Sequence, residues 1–136
     1  MSDSTTVAVA LSWAIWTAFR SWKLAALCFA ACFYTDVDHL FEYSMVHGLK
    51  IDLKSIFSGE YFLVVDKRFL WLHSWETLIP VWLWAWSRRK YKAATAFSLG
   101  FVSHLTVDQL SYPLRPLAYS LVYRWAHGFD AASFGM

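Results

Sequence analysis

Three short constellations carry most of the reactive side chains in this chain: Asp36, Asp38 and His39 in TDVDHL, His73 and Glu76 in LHSWET, and His104 and Asp108 in SHLTVDQL. Imidazoles and carboxylates bind divalent cations, and they are costly to bury unpaired in apolar surroundings. Residues three or four apart on a helix share a face, with Cβ atoms about 5–6 Å apart. His73 with Glu76, and His104 with Asp108, meet that spacing. Each pair can offer a nitrogen and an oxygen to one ion, or a ligand with a partner that fixes the imidazole tautomer. The Asp36-x-Asp38-His39 run adds one or two oxygens at a helix end, and His39 is a further candidate that points to another face if the run is already helical. A mixed nitrogen and oxygen shell suits zinc, iron or manganese better than magnesium alone. The absence of cysteine from it argues against a closed structural zinc site.

Each motif also has a plainer reading. Asp36 and Asp38 could cap the helix that follows them, and His73 with Glu76 could be a hydrogen-bonded pair at a membrane interface. His104 with Asp108 is harder to dismiss, because ionisable groups in the middle of an apolar segment are rare and usually functional. His47 and His127 have no carboxylate at helical spacing and read as solvent-side residues.

The elements that must position these groups are set by composition. With 58% hydrophobic, 20% aromatic and 16% charged residues, the chain is poor in the charge that a soluble surface needs. Its 136 residues suffice for four or five membrane-length helices at about 20 residues each. Nine tryptophans and seven tyrosines suit the lipid headgroup level. A net charge of +2 is too small to suggest nucleic acid, and none is expected as a partner. Cys28 and Cys32 share one helix face and read as packing residues.

No repeat or linker divides the chain, so residues 1–136 read as a single membrane-embedded helical domain. The expected fold is all-α, an integral-membrane bundle of four to five helices with a polar 36–68 connection. Residues 6–22 and 23–35 are apolar and form one long tilted helix or two shorter ones, retained rather than cleaved as a signal. The connection is expected to hold short helices around 37–48 and 53–58. Residues 69–86 read as the strongest span, kinked at Pro80, and 93–110 as the next. A last segment, 116–126, reads as interfacial.

Arg88, Arg89, Lys90 and Lys92 lie in a short loop without acids, which the positive-inside rule places in the cytoplasm. His73, His104 and Asp108 then lie toward the other end of their helices. Arg20 and Lys23 send Asp36 and Asp38 the same way. All three motifs are thus expected to converge at one, non-cytoplasmic, membrane face.

The order of DVDH, HS-x-E and G-x-x-SH-x-x-x-D resembles the small membrane-bound metal-dependent hydrolases, which are distantly similar to zinc-dependent phospholipase C. The matching stretches are TDVDHLFEY (35–43), LHSWETLIP (72–80) and LGFVSHLTVDQLSYP (99–113), within residues 23–127. The resemblance implies metal binding by Asp36, Asp38, His73, His104 and Asp108, with Glu76 as a further ligand or general base. Members often carry additional histidines in the first hydrophobic segment and just before the HS motif. Residues 1–35 here contain none, and His73 is preceded by KRFLWL.

The leading expectation is an integral-membrane hydrolase with a divalent ion, zinc foremost and manganese or iron as alternatives, in a prokaryotic inner membrane. Its substrate would be an ester or phosphoester, lipid-like because the site lies at headgroup level, and its partners would be membrane lipids. The alternative is a small noncatalytic membrane subunit or assembly factor whose polar cluster is structural or a metal clamp. A proton pathway ranks last, since its acids would be spread through the bilayer depth.

Overall fold

The computed structural model describes residues 2–48, 67, 69–112 and 114–135. Among them the regular elements are helical, and the sole extended pairing is an isolated bridge between Lys67 and Asp130. In chain order the helices are α1 (Ser2–Phe19), α2 (Trp22–Tyr34), α3 (Val37–His47), α4 (Leu78–Arg88), α5 (Tyr91–Ser111) and α6 (Leu121–Ala126). The all-α expectation holds for these residues. The helix expected at 53–58 lies outside the described residues.

The apolar stretch at 6–35 is two helices. Arg20 adopts a φ of 52°, in the left-handed region that ends a helix, and Ser21 caps the next one by accepting from the Leu24 amide at 3.5 Å. The chain reverses there, and α1 packs along α2, so that the Cys32 thiol reaches the Ser4 carbonyl at 3.8 Å. A turn at Thr35 and Asp36 then leads into α3.

The continuous helix expected over 69–86 does not form in its first half. Residues 71–74 are bends, Trp75–Thr77 is a single 3-10 turn, and α4 starts only at Leu78. The physical reason lies in tertiary bonding. Backbone groups of 69–75 are taken by side chains of α3 and α6, which removes the incentive for local i to i−4 pairing. Pro80 sits in the first turn of α4, where its missing amide costs nothing. The helix ends at Arg89, also left-handed at φ 53°, whose amide bonds back to the last turn.

Small residues bring α2 and α5 together. A Cβ built on Gly100 would lie 2.0 Å from the Cys28 carbonyl oxygen and 3.2 Å from the Ala31 Cβ. Only glycine permits this approach. Four residues further along α2, the Cys32 sulfur meets the Ser103 hydroxyl at 4.0 Å, so the two helices run in the same direction. Both cysteines are free and buried, in keeping with a packing role. Ile15, Cys28 and Ala96 form one core cluster here, and Leu70, Phe101, Leu105, Ala118 and Tyr119 form a second beside the irregular segment.

The Lys92 ammonium lies 5.8 Å from the centre of the Phe19 ring, so the basic turns after α1 and after α4 share one end of the bundle. Asp36 lies 14 residues past the start of α2, and His104 lies 13 past the start of α5. At 1.5 Å per residue both are about 20 Å from that end.

The outer surface is unusually apolar. Eight of the nine tryptophans are exposed, including Trp22, Trp86 and Trp125 at 70% or more. Among the described residues, the stretch Trp22–Met45, α2 and α3 joined by the turn at Thr35 and Asp36, is long and apolar enough to cross a bilayer, whereas Ser4–Phe19 is apolar but shorter. At 11 residues, α4 is about 17 Å long and falls short of the hydrocarbon thickness.

Candidate metal centre

Four elements deliver the polar groups. Asp36 stands at the turn before α3, Asp38 and His39 lie in its first turn, His73 comes from the irregular segment, and His104 with Asp108 from the second half of α5. The i, i+4 pair forms as its spacing demands, with His104 Nε2 at 3.2 Å from Asp108 Oδ2. The same nitrogen is 3.4 Å from Asp36 Oδ1, and His73 Nε2 is 3.9 Å from Asp108 Oδ2. One ligand atom each from Asp36, His73 and His104 falls within 4.8 Å of the others. Motifs separated by some 30 residues of sequence thus meet in one place.

Both imidazoles are almost inaccessible, at 1% for His73 and 4% for His104. None of their four ring nitrogens makes a hydrogen bond, although buried polar atoms normally do. Three of the four, both nitrogens of His73 and Nε2 of His104, face carboxylate oxygens at ion-pair rather than hydrogen-bonding geometry. Ligand bonds of about 2.0–2.2 Å place the donors of a tetrahedral ion about 3.3–3.6 Å apart; the His104 contacts at 3.2 and 3.4 Å match that, His73 at 3.9 Å from Asp108 is wider, and the group of Asp36, His73 and His104 spreads to 4.8 Å. The donor set therefore fits a divalent cation with mixed nitrogen and oxygen ligands. Asp36, with a side chain 46% exposed, forms the open side.

Asp38 is committed to another task. Its Oδ2 accepts from the amides of Leu72 and of His73, the latter at 3.0 Å, and lies 3.5 Å from His73 Nδ1. The Asp38 carboxylate stands behind Nδ1, on the side of the ring away from Asp108, and Nε2 is the nitrogen turned toward the cluster. The structure thus separates Asp36 from Asp38, which the sequence treats alike. The His39 ring stacks obliquely on His73 at 4.8 Å, so it belongs to the surroundings of the cluster without joining the group of Asp36, His73 and His104.

Glu76 stands elsewhere. His73 precedes the 3-10 turn, so no helical His73–Glu76 pair exists, and the carboxylate is engaged at the N-terminus of α6. It accepts from Ser120 Oγ at 2.7 Å, the Leu121 amide at 2.9 Å and the Val122 amide at 3.3 Å. An acid at that position satisfies orphan helix donors. The expected base or further ligand is therefore a cap here. His127 is exposed, as expected, and bonds through Nδ1 to the Tyr123 carbonyl at 2.8 Å. The His47 side chain lies outside the described ones.

Three residues of the site went unmarked by sequence spacing: Glu42, Tyr119 and Arg124. Tyr119 stacks on His73 at 5.9 Å, and burial, reinforced by the Asp108 carboxylate, pushes its phenol well above the ordinary range. Arg124 is buried at 0% and bonds to backbone carbonyls next to His73. The available signals were a lone arginine inside the apolar run LVYRWA and Glu42 at four residues from Asp38 in TDVDHLFEY. No known protein family, curated protein or solved structure matches this chain.

Proposed function

We propose that this protein is an integral-membrane, metal-dependent hydrolase acting on an ester or phosphoester of a lipid-like molecule at the membrane interface. The observation that carries the reading is the convergence of two buried imidazoles, whose ring nitrogens make no hydrogen bonds, on Asp36 and Asp108. His73, His104, Asp108 and Asp36 would hold the ion, with zinc first and manganese or iron as alternatives. A cation bound there supplies Lewis acidity to the ester under attack and lowers the pKa of a water. Because Glu76 is engaged as a helix cap, Asp36, which lies against His104 and is open to solvent, would be the group placed to take a proton when it does not bind the ion, leaving His73, His104 and Asp108 as the three ligands.

Membrane insertion is supported by the exposed tryptophans, by the apolar Trp22–Met45 run and by two basic turns at one end. The 21 residues of α5 are about 31 Å long, close to the hydrocarbon thickness. The positive-inside rule then puts the site in the non-cytoplasmic half of the bilayer, about 20 Å from the basic end. These features agree with the resemblance to membrane-bound metal-dependent hydrolases carried by the DVDH, HS-x-E and SH-x-x-x-D motifs.

Elemental analysis of the detergent-purified chain, beside His104→Ala, tests the proposal. We expect bound zinc, manganese or iron in the wild type and its loss in the variant. Equal metal content in both would overturn the site. Absence of metal from a protein that copurifies at fixed stoichiometry with a larger complex would favour a noncatalytic membrane subunit, a reading that the aromatic surface also supports.

A further inference from the structure

Phe69 to Trp75 is irregular backbone beside the cluster, and side chains from distant elements bond six of its amides and carbonyls. Asp38 accepts from the Leu72 and His73 amides, Glu42 Oε1 from the Phe69 amide at 2.9 Å, and the Tyr119 carbonyl from the Trp75 amide at 3.0 Å. The carbonyls converge on one residue. Arg124 Nη1 donates to Phe69 O at 2.6 Å and to Leu70 O at 2.9 Å, and Nη2 donates to His73 O at 3.0 Å.

Arginine suits this work because its planar fork presents five donors in fixed directions. Burial pulls its guanidinium below the ordinary value, and the carboxylates of Glu76, Asp38 and Glu42 act in the opposite sense. Between the clamped carbonyls, Leu70 has a φ of 35°, a conformation that persists only where the surroundings over-determine it. The brace is reciprocal, since Glu76 of the clamped side caps the helix that carries Arg124.

We propose that Arg124 is a positioning residue of the centre: its guanidinium fixes the carbonyls of Phe69, Leu70 and His73, and so aims the His73 imidazole at Asp108 and His104. The effect on metal binding rests on the hydrolase reading above; the effect on the segment does not. Lysine in its place keeps the charge but cannot reach three carbonyls in one plane.

The test uses the full chain in detergent as wild type, Arg124→Lys and Arg124→Ala, with two readouts. Cobalt(II) titration followed by the visible ligand-field band reports the ion site, and peptide-resolved hydrogen exchange reports the segment. In both variants we expect faster exchange confined to peptides covering 69–75, with α2 and α5 unchanged. Cobalt affinity should fall about 10–100-fold, the usual loss when a group supporting a ligand is removed. The band should change shape, and millimolar methylguanidinium should restore it in Arg124→Ala. Wild-type exchange across 69–75 would overturn the positioning role. So would faster exchange everywhere at once, which makes Arg124 a residue of global stability. A wild type that binds no cobalt overturns the metal reading instead, and exchange alone then decides the clamp.

Discussion

The two imidazoles are placed by opposite methods. His104 rides on α5, which is held by close contact between small residues, Gly100 against the Cys28 carbonyl above all. His73 sits on backbone without regular structure, held by Asp38, Glu42 and Arg124. Regular helix satisfies its own amides and carbonyls, so its neighbours need only shape. Irregular backbone in apolar surroundings must borrow donors and acceptors, and here it borrows charged ones. The first method makes position depend on volume, the second on hydrogen bonding.

The comparison breaks most severely at Gly100. Gly100→Val places carbon where the Cys28 carbonyl stands, forces α2 from α5 and should cost about 3 kcal/mol or more, read as a lowered thermal midpoint in detergent. A midpoint within a degree or two of wild type would show that the helices do not depend on this approach. Next, His73→Ala should abolish stoichiometric metal while leaving helical content by circular dichroism near wild type. Retained metal would remove His73 from the ligand set.

Asp38→Asn sharpens the contrast further, because it disturbs only the hydrogen-bonded side. The amide keeps one acceptor for the Leu72 and His73 amides and loses the charge behind Nδ1. Metal affinity should fall about 10–100-fold by competition against a chelator. An effect as large as that of His73→Ala would make Asp38 a ligand. Glu76→Gln should cost about 1–2 kcal/mol of stability through the α6 cap and leave metal content intact. Unchanged stability with abolished hydrolysis would return Glu76 to the role of base. Smallest of all, His127→Ala, on an exposed residue, should change stability by at most about 0.5 kcal/mol and metal content not at all.

The sequence was most legible where a local period carries the information. The His104–Asp108 pair and the helices α3 and α5 follow from spacing and apolar runs, because intrahelical geometry is the same wherever a helix occurs. The same rule misled at His73 and Glu76. Their spacing is helical and LWLHSWETLIPVWLW is apolar, yet the segment unwinds because bonds to α3 and α6 outcompete local ones. Asp36 and Asp38 likewise look equivalent in TDVDHL, and only the direction from which 69–75 approaches separates them.

By itself the sequence determined the residue types of the cluster, the helical class and the apolar, tryptophan-rich character of the surface. These depend on composition and on contacts within a few residues. Tertiary structure alone decided which groups meet, that Glu76 caps a helix, and that Arg124 grips the backbone beside His73. Those outcomes arise between residues 35 to 68 apart in the chain, where no local period records which buried donor will find which acceptor.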